Sequence, residues 1–281
     1  MLRIYALLFL LSLSMTSGKP VYAKDSLLLA VHPYLAVKEI EKKFTPLVEY
    51  LAQKTGKKII IRVGSNYQEH IRFIGTDKVD IAYMGPASYV SMTKEYGKKP
   101  VLARLEVNGQ AFFQGNIIVR KNSNIKTIQD LKGKRIAYGD PNSTMSYIVP
   151  HHMLHKAGVY AKHPSTHDFL YSHNNVAMAV LSGDFDAGAV KPAVFKKFES
   201  KGLRTLVLTP KISEHLFVAR TDLPENEITV IRNAFLDMRN SDEGLAAMRA
   251  IKKNITGLVK VSDHHYDNLR VIINETDNFN K

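Results

Sequence analysis

Apolar residues fall along this chain in two rhythms. An unbroken run at Leu27 to Val31 and mostly apolar runs at Ile59 to Val63 and Arg135 to Tyr138 have the length of buried strands. After the first run, Ile40, Phe44, Leu47, Val48 and Leu51 recur at helical spacing, and Pro46 is expected to kink or restart that helix. Further strands are predicted over Phe113 to Arg120, Arg204 to Leu208 and Phe217 to Arg220, and helices over Ile228 to Met238 and Leu245 to Lys252. Strands alternating with helices predict an α/β protein with mixed, mostly parallel sheets flanked by helices.

One unit occurs twice. Residues 67–90 and 173–195 each read as helix, short turn, buried strand, tight turn and a second helix opened by proline, at Pro86 and Pro192. Asp80 and Asp186 stand at the same place in the two copies, as do Tyr67 and His173. Two lobes on one plan follow: residues 24–112 and 211–281 in one, 113–210 in the other. The chain would cross between them near Ala111 to Asn116 and again near Thr209 to His215, a natural hinge. Ligands of α/β sheets bind where strands end and the next helices begin, which turns Tyr67, Gly85, His173 and Lys191 toward one cleft.

The first 23 residues stand apart. Arg3 precedes the apolar run Ile4 to Leu13, too short to span a bilayer, and Val21-Tyr22-Ala23 has the small residues of a signal-peptidase site. A cleaved leader, residues 1–23, and an exported, soluble, periplasmic protein are expected. The chain has no cysteine, so no lipid anchor, disulfide, thiolate metal site or cysteine nucleophile is expected. Its apolar share of 45% and charged share of 23% exclude a disordered or coiled-coil chain. Net charge is +13, and +11 once Arg3 and Lys19 leave with the leader. Lysine pairs are scattered and no aromatic-interleaved basic motif occurs, so nucleic acid is not expected as a partner, whereas a positive field favours a small anion.

The most informative stretch is RIAYGDPNSTMSYIVPHHMLHKA, residues 135–157, which leads from a strand through a polar turn into a helix. Ser143 suits the N-cap, and a helix start offers free N–H groups and partial positive charge. With hydroxyls from Ser143, Thr144 and Ser146, that end fits an oxyanion such as phosphate. Pro150 removes one helical hydrogen bond, so the first turn is expected to be a separate segment that bends before His151.

GNIIVRKNSNIKTIQDLKGKRIAYGDPNSTMSYIVP, KVDIAYMGP and SHNNVAMAV together resemble the periplasmic phosphate-, phosphite- and phosphonate-binding proteins of ABC transporters. The resemblance runs from about Leu27 to Leu223, and DPNST followed by a proline is its most specific part. It implies a two-lobed Venus-flytrap of the type II periplasmic-binding class that closes on its ligand without catalysis or cofactor. It also implies that Ser143 and Thr144 hold the oxygens, joined by Tyr67 and His173, with Tyr83, Phe113 and His215 completing the candidate set. Departures are equally specific. Met145 replaces a third hydroxyl residue, Phe113 a tyrosine, and Ala193 and His215 stand where aminophosphonate binders carry acids. A buried ammonium would then lack a partner, which disfavours 2-aminoethylphosphonate. Phosphate, phosphite, methylphosphonate or an organophosphate fits better. The expected partner is a permease, or a membrane sensor in the alternative reading, with the protein a monomer.

Two other readings carry less. Ser91-Met92-Thr93-Lys94 and Lys54-Thr55-Gly56 match motifs of penicillin-recognising enzymes, but in the wrong order. His151, His152 and His155, and the pair His264-His265, lack carboxylates at metal-ligand spacing and read as imidazoles on a solvated surface.

Overall fold

The computed structural model describes residues 25–159 and 167–279; the expected leader lies outside them. In the first lobe, β1 (Ser26–Val31), α1 (Val37–Thr55), β2 (Lys58–Val63), α2 (Tyr67–Gly75), β3 (Ile81–Met84), α3 (Pro86–Tyr96) and β4 (Val101–Val107) follow in order. The chain then crosses through β5 (Phe112–Phe113) to the second lobe: β6 (Asn116–Arg120), β7 (Ile136–Tyr138), α4 (Val149–Lys156), β8 (His167–Phe169), α5 (His173–Ser182), β9 (Ala187–Val190), α6 (Pro192–Glu199) and β10 (Leu203–Leu208). It returns through β11 (Ile212–Ser213) to β12 (Leu216–Ala219), α7 (Glu225–Asp237), α8 (Asp242–Ile251), β13 (Ile255–Val259) and α9 (Asp267–Phe279).

Strand order is β13-β4-β12-β3-β1-β2 in one sheet and β10-β6-β9-β7-β8 in the other. Parallel ladders join β1 to β2 and β3, and β7 to β8 and β9. Elsewhere the ladders are antiparallel: β6 and β12, which enter their sheets from the opposite lobe, run against their neighbours, and β13 runs against β4. The sheets are therefore mixed, and less parallel than the alternation of elements predicts. The expected long strand from Phe113 to Arg120 is split at Gln114-Gly115, where the chain leaves one structure for the next. There β5 and β11 pair antiparallel, Gly115 N–H donates to Thr209 Oγ1 at 2.7 Å, and Thr209 N–H donates to Gly115 O at 3.0 Å.

Each sheet is covered on both faces. The periodic residues of α1 are buried with α7 and α8 on one side of the first sheet, while α2, α3 and α9 cover the other. Helix α1 runs unbroken through Pro46, contrary to the expected kink. Lys42, whose carbonyl loses its helical partner there, is exposed to water, and the buried stripe from Ile40 to Leu51 holds both halves in line. Gly56 ends the helix at φ 68°, the left-handed conformation that costs glycine little. Helix α9 packs against α3 in one lobe and α4 in the other, so it bridges the lobes instead of completing one of them. No helix among the described residues is long and apolar enough to cross a membrane.

Candidate functional site

The second lobe contributes a helix start. Asp140 Oδ1 accepts the Asn142 N–H at 2.7 Å, and the Ser143 N–H donates to Asp140 O, closing the turn after β7. Ser143 Oγ accepts the Ser146 N–H at 3.2 Å, so Ser143 is an N-cap. The first turn, Thr144–Ile148, is wider than an α-turn: Ile148 N–H reaches Ser143 O before α4 begins at Val149. Pro150 explains this. It offers no N–H to the Ser146 carbonyl, which accepts from Gly139 instead.

Ser146 is a correction. Its side chain is fully buried, its Oγ accepts from Gly139 N–H at 2.9 Å and donates to Ala189 O at 2.5 Å, and it does not line the cleft. Its only hydroxyl proton is already given to a strand, so it braces the turn. A Cβ on Gly139 would lie 2.6 Å from that Oγ, which requires glycine at this close approach. Met145, by contrast, lines the cleft and also reaches the hinge, where Thr209 Oγ1 lies 3.4 Å from its sulfur.

The first lobe answers with a second helix start. Ala87 N–H, in the first turn of α3, donates across the cleft to Thr144 Oγ1 at 3.0 Å. That bond occupies the oxygen of Thr144 and leaves its proton to donate. One position on, the Ser88 hydroxyl is buried, lines the cleft and has no hydrogen-bond partner among the described residues.

Between the two starts lies a cavity of about 420 Å³. Ser143, Thr144, Tyr67, Tyr83, Phe113, His173 and His215 all line it, together with Lys191, Ala193, His32, Tyr34, Asn142 and Ser88. Its first-lobe wall is a stack of rings. His32 lies on Tyr83 at 5.3 Å and on His215 at 5.5 Å, Tyr67 is 5.5 Å from His32, and Phe113 is 5.4 Å from His215. Burial pushes the hydroxyls of Tyr67 and Tyr83 up and the imidazole of His32 down, so these groups stay neutral. His215 is held by Glu214, whose Oε2 lies 2.9 Å from Nδ1. Burial pushes the Glu214 carboxyl up, but His215 and Lys252 outweigh it and hold it at about 2.

His173 opens α5, and its Nδ1 accepts the Lys191 N–H at 3.1 Å. Burial first, then the charges of Lys191 and His215, hold its pKa well below 6.5. The neutral ring therefore carries its proton on Nε2, where it donates; Nδ1 has no capacity left to accept a ligand proton. Lys191 itself is pushed down to about 8 by burial and by Lys252 and Lys43, and its ammonium lies 4.8 Å from the Tyr34 ring of the other lobe. The arrangement offers an anion neutral donors from both lobes.

His32, Tyr34 and Ser88 escape the sequence reading. The rule that ligands gather at strand ends, applied to β1, points to His32; Ser88 follows from the proline that opens α3. The histidines after Pro150 lie elsewhere. His151 is fully buried against Tyr147, which corrects the expected solvated position. His152 Nε2 pairs with Glu275 at 2.7 Å, and His155 stacks on Phe279. Lys54-Thr55-Gly56 ends α1, whereas Ser91 and Lys94 lie in α3.

A family model described as the periplasmic substrate-binding protein of phosphonate ABC transporters matches residues 29–266. The chain is 27% identical over 277 residues to the phosphate-import protein PhnD of Mycolicibacterium smegmatis, covering 90% of this chain and 86% of that one. It is 28% identical over 199 residues to a probable ABC transporter phosphite-binding protein, PhnD1, of Prochlorococcus marinus, covering 66% and 61%. Its fold is similar to that of the Prochlorococcus marinus PhnD1 structure in complex with methylphosphonate, with a TM-score of 0.80 at 23% identity, over 90% of this chain and 98% of that one. The two-lobed fold is thus that of periplasmic binding proteins, and the family is one of substrate-binding transport components, not enzymes. With its matched region taking in both lobes and the cleft between them, the chain belongs to the periplasmic phosphonate-binding family of ABC transporters.

Proposed function

We propose that this protein captures a small phosphorus oxyanion (phosphate, phosphite or a phosphonate) between its lobes and, once closed, delivers it to an ABC permease. It acts as an exported monomer whose leader is cleaved near Ala23. One observation carries the reading: Ser143 and Thr144 form a helix start that faces a second helix start across a lined cavity. Two positive helix ends and hydroxyls with free protons suit a tetrahedral anion better than any neutral solute. The oxyanion meets Ser143 and Thr144 first; closure then brings Tyr67 and Ser88 over it and excludes water, while Nε2 of His173 donates from the same lobe as the cap.

Calorimetry with phosphate, phosphite and methylphosphonate tests this. Each hydrogen bond to a charged oxygen contributes roughly 1.5–3 kcal/mol, so Ser143→Ala with Thr144→Ala lowers affinity by about a hundredfold or more. The ligand-free protein should melt within a few degrees of the unaltered one. A double variant that is unfolded without ligand would mean that the pair is a structural cap. For the delivery step, deletion of the permease should abolish uptake that depends on this protein; unchanged uptake with altered signalling would favour a sensor.

A further inference from the structure

The cavity is larger than the anion it is read to hold. A volume of about 420 Å³ is several times what a five-atom oxyanion fills. The remaining space has its own chemistry. The end near α3 offers neutral donors, namely Ser143, Thr144 and the partnerless Ser88. Beside them Lys191 reaches across the cleft to Tyr34 and feels Glu39 and Lys43 of α1 and Lys252 beyond α8.

The charged part of the lining is cationic. Lys43, Lys191, Lys252 and Lys253 line the cavity against Glu39 and Glu214 alone, and Glu214 is taken up by His215 and by Lys252 at 3.2 Å. Lys191 has no carboxylate within salt-bridge distance among the described residues, only the face of Tyr34. A buried ammonium is costly without an anion beside it, and no side chain supplies one. The ligand can.

We propose that the cleft takes a two-ended anion: a phosphonate or phosphate monoester whose far end carries a second acidic group, held by Lys191. This rests on the oxyanion reading above and narrows its substrate class. It also gives a positive reason why an aminoalkylphosphonate is a poor fit, since its ammonium would meet another.

Calorimetry with a matched pair tests it. Propylphosphonate and 3-phosphonopropionate share the phosphorus end and differ in the charge at the far end. The carboxylate form should bind roughly ten- to a hundredfold more tightly, the value of one charge-assisted contact. Lys191→Met should erase that advantage and leave methylphosphonate affinity within about threefold of the unaltered protein, because in this proposal the phosphorus end is held by Ser143 and Thr144 and the cation serves the second acid. Its melting temperature without ligand should not fall, since an unpaired buried charge has gone; Lys191→Gln serves as a second variant with the same expectation. Equal affinity for the pair in the unaltered protein overturns the proposal. So does a Lys191→Met variant that loses methylphosphonate as severely as 3-phosphonopropionate, because Lys191 would then serve the phosphorus end. Failure of every phosphonate and of phosphate to bind overturns the oxyanion reading itself.

Discussion

In the first lobe Asp80 accepts the Leu28 N–H at 2.7 Å and returns its own N–H to Leu28 O at 3.0 Å. In the second, Asp186 does the same with Arg135, at 2.9 Å in both directions. Each aspartate ties the start of one strand to its parallel neighbour; each unit then opens a helix on proline and starts another on Tyr67 or His173 behind a side-chain cap. The faces turned to the cleft and core diverge in a way that matters for the site. Gly85 in one copy answers to Lys191 in the other, and the buried imidazole of His70 answers to Val176. Backbone pairing fixes the frame, so its polar anchors must match, whereas side chains facing the cavity are free to specialise. The first lobe supplies rings and the second supplies charge.

The anchors differ in depth, and that gives a large expected effect. Asp80 is buried and paired with Arg220 at 2.8 Å, while Asp186 is partly exposed with arginines at 3.5 and 3.8 Å. Removing the buried carboxylate leaves Arg220 with the exposed Asp222 alone and weakens the bond to Leu28, so Asp80→Asn should cost about 1.5–3 kcal/mol in urea unfolding. Asp186→Asn should cost less than about 1 kcal/mol, as exposed pairs do. Equal losses would break the comparison.

Local signals made much of this legible. The stripe of α1, the proline-opened helices and the repeated aspartate depend on residues close in sequence, and so does the Ser143 cap. Strands β4 and β13 go unpredicted because they take their burial from partners far along the chain: Arg104 Nη1 of β4 donates to Ser213 Oγ at 2.9 Å. Helix α9 does carry a periodic stripe, Leu269, Ile272, Ile273 and Thr276, which periodicity alone could have found. Within the site, Ser146 misleads because the acceptor of its hydroxyl, Ala189 O, belongs to another strand. The unpartnered hydroxyl of Ser88 has no sequence signature, since lacking a partner is a property of the packed state.

The second contrast, His70 against Val176, predicts how stability follows pH. Burial holds His70 at about 4, against 6.5 when free. Its folded value lies below its unfolded one, so stability is complete above about pH 6.5 and declines as pH falls toward 4, by about 3 kcal/mol in all. His32 and His173, also pushed down chiefly by burial, act in the same direction. His70→Val, which copies the second lobe, should remove its share of the decline in unfolding experiments between those pH values. An unchanged slope would show that this imidazole is not held neutral by its surroundings.

The smallest effect concerns the two residues that start equivalent helices. Tyr67 and His173 both present a neutral donor to the cavity, from opposite lobes. If the anion docks first on Ser143 and Thr144, His173 is already beside it, and Tyr67 arrives only on closure. Tyr67→Phe should therefore weaken binding by about tenfold or somewhat more, the value of one hydrogen bond to a charged oxygen. Stopped-flow measurements should place that loss in faster dissociation with association unchanged, as for contacts formed after encounter. His173→Asn should instead also slow productive capture, because it removes a donor from the lobe that receives the ligand. Association slowed by Tyr67→Phe and untouched by His173→Asn would reverse the order, making the ring-lined lobe the one that binds first.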